Sequence, residues 1–276
     1  MLFVVATPLG NLADLSVRAI ETLREADVVC AEDTRHTRGL LTHLGIAGKE
    51  LVAIHAHSTD GDLDRVGARL DQGARVAIVT DAGTPTVSDP GEALVRMAIA
   101  RGVRVVPIPG PSAAVCALSA SGLSGGRFRF FGFLPRDGTE RDQTIGEICD
   151  TPEPCVVYEA ANRLAGTLAD LARATPGRQA CVARELTKLH EELVRGDLEG
   201  LAAHDRAWRG EVVLVLGAHD PASREEAIDD AAIDLRIDEE LRAGHHARTI
   251  AERVAAWSGR RRRAVYERVI ARKARR

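Results

Sequence analysis

The sequence predicts an α/β protein with two α/β domains followed by a helical extension. Three observations support this fold class. Short β-branched runs alternate with amphipathic helical patterns between residues 2 and 217. A Gly/Ser-rich break, SGLSGGR, separates two such blocks at 121–127. After Pro221 the pattern is helical only. The predicted domains are residues 1–120, 121–219 and 220–276.

The first block alternates predicted strands and helices. The strands are LFVV (2–5), VVCA (28–31), LVAI (51–54), RVAIVT (75–80) and VRVVPI (103–108). The helices cover 15–24, 61–72, 90–101 and 112–121, and Asp14 and Asp89 are placed to cap the first and third of them. This alternation indicates a mostly parallel sheet that is covered on both faces.

The second block repeats the alternation, and the extension changes it. Its predicted strands are 127–132, 154–158, 179–183 and 211–217, with helices near 139–149 and 162–173. In the extension, Ile250 and Val254 share one helical face, WSG (257–259) makes a turn, and Val265 and Val269 share a second face. This spacing is compatible with a helix–turn–helix.

Composition restricts the class of protein. Of the 276 residues, 45% are apolar, 28% charged and only 3% aromatic, as in a globular protein with an aliphatic core. No apolar run approaches the roughly 18 residues of a membrane span, and the first residues are typical of a strand rather than a signal peptide. We therefore expect a cytoplasmic protein with no membrane partner.

The cysteines and the charge distribution narrow the expected chemistry. The five cysteines form no CxxC pair and no metal-ligand spacing, so buried thiols are expected, with a catalytic thiol as the alternative. The net charge of −3 combines an acidic segment at 220–240 with a basic one at 242–276, which contains the run Arg260, Arg261, Arg262 and Arg263. Such a tail favours a nucleic-acid partner, RNA or DNA; a solvated helix face is the alternative.

Three Gly/Pro-rich loops follow three predicted strands. They are TPLGN (7–11), DAGTPTVSDPG (81–91) and PIPGPSAA (107–114). Parallel strands place such loops at one edge of the sheet, where ligands bind, and glycine lets the backbone approach a ligand closely. No loop is a dinucleotide or P-loop motif. The alternative is three tight turns without a ligand.

Five motifs in order resemble a known family. They are TPLGNLADLSVRAIETLREADVVCAEDTRHTRGLL, DAGTPTVSDPG, PGPSAA, FGFLP and ARELTKLHEELVRG. Together they resemble the bacterial 16S ribosomal RNA cytidine 2′-O-methyltransferases, which belong to the tetrapyrrole-methylase superfamily. The resemblance covers roughly residues 1–217 and continues more weakly into the tail. AEDTRHT and ARELTK favour the ribosomal branch over the porphyrin-precursor branch.

The resemblance implies two tetrapyrrole-methylase domains with S-adenosylmethionine in a cleft between them. It also implies a homodimer, and a cytidine in the decoding region of the small ribosomal subunit as methyl acceptor. The cofactor residues that it implies are Pro8, Asp81, Ala82, Gly83, Thr84, Val87, Ser112, Ala113, Glu159 and Ala183. The chain departs from the family pattern at Ser58 and Asn162, where Asn and His are usual. These departures concern the positioning of the acceptor more than the cofactor.

A ribose hydroxyl is a weak nucleophile, so methyl transfer to it needs a base within hydrogen-bond reach. The AEDTRHTR stretch (31–38) offers Asp33 or Glu32 as base or orienter, then His36. Further candidates are Lys188 for phosphate or hydroxyl contact, Arg35, Arg38 and Arg184 for RNA phosphates, and His55 and His57 for the acceptor. Surface salt bridges and structural histidines are the alternatives.

Two other functions remain compatible with the sequence. One is another branch of the superfamily, which methylates a tetrapyrrole or a modified protein residue. The other is a non-catalytic RNA-binding assembly factor with a vestigial cleft. Cofactor binding separates an enzyme from the factor, and use of the basic tail separates RNA from the smaller acceptors.

Overall fold

The computed structural model describes residues 1–55, 58–219 and 228–274. The chain divides into two compact units. Unit 1 comprises Met1–Cys116 and Leu186–Leu189, and unit 2 comprises Ala117–Glu185 and His190–Arg276. Each unit contains a five-stranded sheet with its own helices, which confirms the predicted α/β class.

Unit 1 is built on a fully parallel sheet. Its strands are β1 (Leu2–Val5), β2 (Val28–Ala31), β3 (Glu50–Ala53), β4 (Val76–Ile78) and β5 (Val105–Ile108), in the order β3-β2-β4-β1-β5. The helices that follow these strands are α1 (Val17–Glu25), α2 (Thr34–His43), α3 (Asp60–Asp71), α4 (Glu92–Ala100) and α5 (Ala113–Ser121). All five predicted strands are confirmed, whereas α2 was not predicted.

Both faces of this sheet are covered, as predicted. One apolar cluster contains Phe3 and Val29 with Leu23 of α1 and Leu41 of α2. The other contains the alternate strand residues with helices α3 and α4, through Val66, Leu70, Leu94 and Ala98. Because strand side chains alternate between faces, the two clusters fill the two sides of one sheet.

Two predicted helix caps are wrong. Ser16, not Asp14, caps α1, because its Oγ accepts a hydrogen bond of 3.1 Å from the amide of Ala19. Asp14 ends a short 3₁₀ turn instead. Helix α4 begins after Gly91, whose φ of 120° gives the chain its turn, and no side chain caps it. Asp89 therefore does not cap α4 and is available for other contacts.

Unit 2 has a mixed sheet. Its strands are β6 (Arg129–Phe133), β7 (Cys155–Ala160), β8 (Gln179–Arg184), β9 (Glu192–Asp197) and β10 (Glu211–Leu216). The order is β6-β7-β10-β8-β9, and only β6 and β7 run parallel. The helices are α6 (Gly138–Asp150), α7 (Ala161–Ala174) and the short α8 (Leu198–Ala202). β9 was not predicted, because ELVRGD mixes charged residues with glycine on an exposed edge.

Three helices form the described part of the extension. They are α9 (Asp230–Arg242), α10 (Ala247–Ser258) and α11 (Arg262–Lys273). Ile237, Ile250, Val254, Val265 and Val269 all lie in the main apolar core of unit 2. Gly259 ends α10 in a left-handed conformation with φ of 72°. The predicted pair of tail helices is confirmed; the division into three domains stays a prediction.

The described residues contain no helix with the length and apolarity needed to cross a membrane.

Candidate active site

The three predicted loops converge at the carboxyl edge of the sheet in unit 1. Thr7 and Gly83 exchange main-chain hydrogen bonds of 2.8 and 3.1 Å. The Thr84 hydroxyl donates to the carbonyl of Pro111 at 2.9 Å, which ties the second loop to the third. Gly110 lies so close to β1 that a Cβ there would be 2.9 Å from the Cβ of Ala6. Their main-chain groups therefore form one surface.

The backbone conformation at Gly83 requires glycine. Its φ is 88°, a region that side chains other than glycine rarely adopt. A Cβ there would point between the loops, 3.4 Å from Cδ2 of Leu9 and 3.9 Å from the carbonyl of Pro111. The interpretation that Gly83 lets the loop approach the cofactor closely stays a prediction. The loop also holds Thr86 and Ser88 at φ of 72° and 64°, strain that functional loops often retain.

Most residues expected at the cofactor site lie on these loops. They are Pro8, the stretch Asp81–Thr84, Val87, Ser112 and Ala113. Ala113 begins α5, and Val87 is 36% exposed. Ala183 and Glu159 lie in unit 2, on β8 and β7 respectively, and both are buried. The cofactor role of all these residues stays a prediction.

Glu159 already has partners for both oxygens of its carboxylate. Oε2 accepts from the Thr167 hydroxyl at 2.7 Å and from Arg141 at 3.3 Å. Oε1 accepts from the Ala160 amide at 2.8 Å and pairs with Arg163. All of these partners belong to unit 2, and the loss of one of them would leave a buried charge uncompensated.

Three carboxyl groups surround the end of β4. Thr80 donates through its hydroxyl to Oε2 of Glu32 at 3.3 Å. Asp81 accepts from the Asp33 amide at 3.2 Å. Burial raises the pKa of Asp89 to about 6, and the nearby Glu32 and Asp81 carboxylates add to the rise, while a hydrogen bond with Thr80 opposes it. The sequence reasoning missed Asp89 because Asp-Pro is typical of a helix start.

Asp33 is a helix cap, which makes it a weak base. Its Oδ1 accepts from the amide of Arg35 at 2.8 Å, at the start of α2, and its other oxygen pairs with the Arg35 guanidinium at 3.1 Å. These bonds to Arg35 lower the pKa of Asp33 to about 2. Glu32 is therefore the better of the two carboxylates proposed from the sequence. His36 is exposed on the first turn of α2.

Lys188 falls within the predicted second domain, residues 121–219, yet it lies in unit 1, and its role stays a prediction. The segment Leu186–Leu189 belongs to unit 1. The side chain of Lys188 lies directly over the TPLGN loop, where a Cβ on Gly10 would be 2.3 Å from its Cγ. Thr187, with φ of 67°, adopts a conformation rare for a β-branched residue. The structure thus brings Lys188 to the first of the three loops.

The candidate RNA-binding arginines fall into two groups. Arg35, Arg38 and the run at 260–263 are exposed. Within that run, Arg262 pairs with Glu252 and Arg263 with Glu267. Arg184 is different, since it donates to the carbonyl of Arg209 at 3.2 Å and pairs with Glu192 at 3.2 Å inside unit 2.

The remaining candidates from the sequence are the histidines, Asn162 and the cysteines. His55 is exposed, and its amide donates to Oγ of Ser58 at 2.8 Å, while His57 lies outside the described residues. Asn162 is exposed on the first turn of α7. Four of the five cysteines are buried, and burial raises the pKa of Cys30 to about 12, so a thiolate nucleophile has no support there.

Comparisons with known proteins agree with this fold. The family model described as Tetrapyrrole (Corrin/Porphyrin) Methylases matches residues 1–202. A diphthine synthase structure superposes with a TM-score of 0.60 at 20% identity, covering 82% of this chain and 93% of that one. The structure of uroporphyrin-III C-methyltransferase from Thermus thermophilus, complexed with S-adenosylhomocysteine, superposes with a TM-score of 0.53 at 21% identity. The superposition covers 78% of this chain and 96% of that one. The match over residues 1–202 shows that the chain belongs to the tetrapyrrole methylase family.

Curated relatives identify the particular family within the tetrapyrrole methylases to which this chain belongs. Several relatives carry the name Ribosomal RNA small subunit methyltransferase I. The one from Xylella fastidiosa strain Temecula1 is 50% identical to this chain, over 79% of this chain and 82% of that protein. The one from Mesorhizobium japonicum is 42% identical over 98% and 91%. The one from Pseudomonas aeruginosa is 41% identical over 98% and 97%. The chain belongs to the ribosomal RNA small subunit methyltransferase I family, which confirms the resemblance read from the five motifs.

Proposed function

We propose that this chain transfers the methyl group of S-adenosylmethionine to the 2′-hydroxyl of a cytidine in the decoding region of 16S ribosomal RNA. It would act in the cytoplasm, as a homodimer, on the small ribosomal subunit. The observation that carries the proposal is 42% identity to a protein named for this ribosomal activity over 98% of this chain. The converging loops of unit 1 supply the chemical support.

The charges at the loop edge suit a positively charged cofactor. Glu32, Asp81 and Asp89 lie close enough that the first two carboxylates raise the pKa of the third. Negative charge of this kind attracts a sulfonium and an ammonium group. Main-chain groups of Pro8, Asp81–Thr84, Ser112 and Ala113 would hold the rest of the molecule, with Val87 beside them. When bound, the cofactor supplies a methyl group activated by its positive sulfur.

A carboxylate of unit 1 would take the proton of the acceptor. As the ribose oxygen bonds to the methyl carbon, the carbon–sulfur bond breaks and the hydroxyl proton must leave. We assign the role of proton acceptor to Glu32 and Asp89, both of which interact with the Thr80 hydroxyl. Asp89 has the pKa suited to a base near neutral pH, whereas Asp33 is ionised but weakly basic.

Cationic groups would position the RNA. Lys188 over the TPLGN loop, and Arg35 and Arg38 on α2, lie in the same unit as the proposed base. The run from Arg260 leads into α11, and Arg261 is its N-terminal cap residue. Cations are unfavourable at a helix N-terminus, so this placement costs stability and favours a functional role for the charge. RNA phosphates are the matching ligand.

The decisive experiment combines the protein with small ribosomal subunits and a labelled methyl donor. The labelled nucleotide is then mapped by mass spectrometry. We expect label on one cytidine ribose. Label on a tetrapyrrole or a protein would reject the RNA assignment. Absence of S-adenosylmethionine binding by calorimetry would favour the non-catalytic assembly factor.

The role of the tail is tested by charge reversal rather than deletion, because Ile250 and Val254 lie in the core of unit 2. Arg260→Glu is compared with Arg104→Glu, an exposed arginine beside the amino end of β5. We expect only Arg260→Glu to weaken binding to the small subunit. In that variant the slope of the logarithm of the binding constant against the logarithm of the salt concentration should fall by about one. Equal behaviour of the two variants would remove the run from the RNA site.

A further inference from the structure

Aromatic and basic residues are concentrated in one segment, residues 127–136. Its sequence, RFRFFGFLPR, contains three arginines, no acidic residue and four of the five phenylalanines of the chain. Part of it forms β6, an edge strand of the sheet in unit 2. Strands that interleave basic and aromatic side chains are typical of single-stranded RNA recognition, in which rings stack on bases and cations meet phosphates. We call this stretch the Arg-Phe segment.

A β-bulge sets the direction of Phe133. Phe130 pairs with Val156 but Gly132 pairs with Val157, so the register shifts by one residue within the strand. Phe133 therefore falls opposite Tyr158, on the face that also carries Phe130. The Tyr158 ring is edge-on to both, with centroid distances of 5.3 Å to Phe133 and 5.0 Å to Phe130. Phe133 is thus held at one edge while 59% of it stays exposed.

Positive charge flanks this ring on both sides along the chain. Arg127 and Arg136 are exposed. A shallow depression of about 490 Å³ beside β6 is lined by Gly126, Arg127, Phe128, Arg129 and Glu153. Within it Phe128 is 42% exposed. Arg129 contributes less, because it pairs with Glu147 and lies 4.8 Å from the ring centre of Phe131.

We infer that the Arg-Phe segment binds an unpaired stretch of the substrate RNA. Phe133 stacks on a base of this stretch, and Arg127 and Arg136 lie near the phosphates of the same stretch. This inference rests on the proposed function, since it names a second contact surface for the same substrate. A second copy of this chain is a less suitable occupant. A two-fold contact pairs a patch with itself, and here it would bring arginines together without acidic residues of the segment to match them.

The test separates stacking from simple apolar contact. Phe133→Ala, Phe133→Leu and Phe133→Trp are compared with the wild type, and Leu235→Ala, at another exposed apolar residue, is the matched control. Binding of a labelled single-stranded oligoribonucleotide is measured by fluorescence anisotropy, and methylation of small subunits at limiting subunit concentration. We expect the Ala and Leu variants to bind RNA about tenfold more weakly, and the Trp variant to stay within about twofold. S-adenosylmethionine affinity stays unchanged in all of them.

Three results with the Phe133 variants would overturn the inference. Wild-type RNA affinity in Phe133→Ala excludes a contact, and wild-type affinity in Phe133→Leu excludes stacking. A loss of affinity that coincides with a lower mass in light scattering assigns the segment to an interface between copies. The proposed function fails separately: a wild-type protein that binds RNA through Phe133 but never methylates it rejects the activity and keeps the stacking site. A wild-type protein that methylates small subunits but does not bind the single-stranded oligoribonucleotide rejects the stacking site and keeps the activity.

Discussion

Buried carboxyl groups in unit 2 and half-buried ones in unit 1 have different surroundings. In unit 2, Glu159 is paired with Arg141 and Arg163. Asp142 is paired with Arg253 and Arg236. Burial raises the pKa of Asp142, and these two arginines oppose the rise. In unit 1, the charges that act on Asp89 are the carboxylates of Glu32 and Asp81, and they raise its pKa further.

This difference separates structural charge from reactive charge. Arginines that meet a buried carboxylate oppose the effect of burial on it and tie together the elements that they come from. Carboxylates that are gathered at a strand end without such compensation store unfavourable energy, which a bound cation or a transferred proton can relieve. The same side-chain chemistry therefore supports the fold in one unit and is available for catalysis in the other.

The largest expected effect comes from removing the compensated charge in unit 2. Glu159→Gln removes the closer counter-charge of Arg141, whose side chain is 11% exposed, and leaves it, among the described residues, only the pair with Asp170 at 3.9 Å. We expect the free energy of unfolding to fall by about 3 kcal/mol, as measured by urea denaturation. Glu147→Gln is the control, since its pair with Arg129 is solvent-exposed and should contribute less than about 1 kcal/mol. Equal losses in the two variants would contradict the distinction.

Next in size is the effect of Asp89→Asn on methyl transfer. If Asp89 helps to accept the proton, the variant should lose about 100-fold in single-turnover rate while S-adenosylmethionine affinity changes little. The wild-type rate should rise as the pH rises through about 6, because the carboxylate form is the active one. A wild-type rate in the variant would leave Glu32 as the only carboxylate of the proposed pair.

The parts of this arrangement that the sequence predicts are local. β1 and β2 match the predicted strands to the residue, because β-branched runs between polar residues identify a buried parallel strand without reference to the rest of the chain. Helix α2 was missed because TRHTRGLLTH begins with polar residues and shows its apolar face only late. The loop motifs also identified the edge of the sheet at which the candidate site lies.

The contacts that define the reactive groups depend on tertiary structure. Asp89 precedes a proline and has the local signature of a helix cap, and only the fold reveals Thr80 and Glu32 beside it. Lys188 follows β8 in the chain, yet it lies over Gly10 in unit 1. Neither fact follows from the neighbouring residues in sequence, because each depends on contacts across long separations.

Asp89→Asn should change stability in the opposite direction from Glu159→Gln. The folded-state pKa of Asp89 lies above the ordinary value of 3.8, so the native state binds more protons than the unfolded state, and its stability falls as the pH rises from about 4 to about 6. Asp89→Asn removes this loss. Above pH 6 we expect a gain of about 1 kcal/mol after allowance for solvent screening, with no gain below pH 4. Thermal unfolding across this pH range measures it, with Asp14→Asn as an exposed control.

The smallest effect is expected for Asp33→Asn, which tests whether the best-paired carboxylate of unit 1 is structural. Asn caps helices about as well as Asp, so the amide of Arg35 keeps its acceptor and the stability should stay close to that of the wild type. Because Asp33 has a pKa of about 2, it is a poor proton acceptor, and turnover should stay within about threefold of the wild type. Single-turnover methylation of small subunits measures it beside Asp89→Asn. A loss in Asp33→Asn as large as that in Asp89→Asn would place reactive charge on a carboxylate that already has a cationic partner, and the contrast between the two units would no longer identify the base.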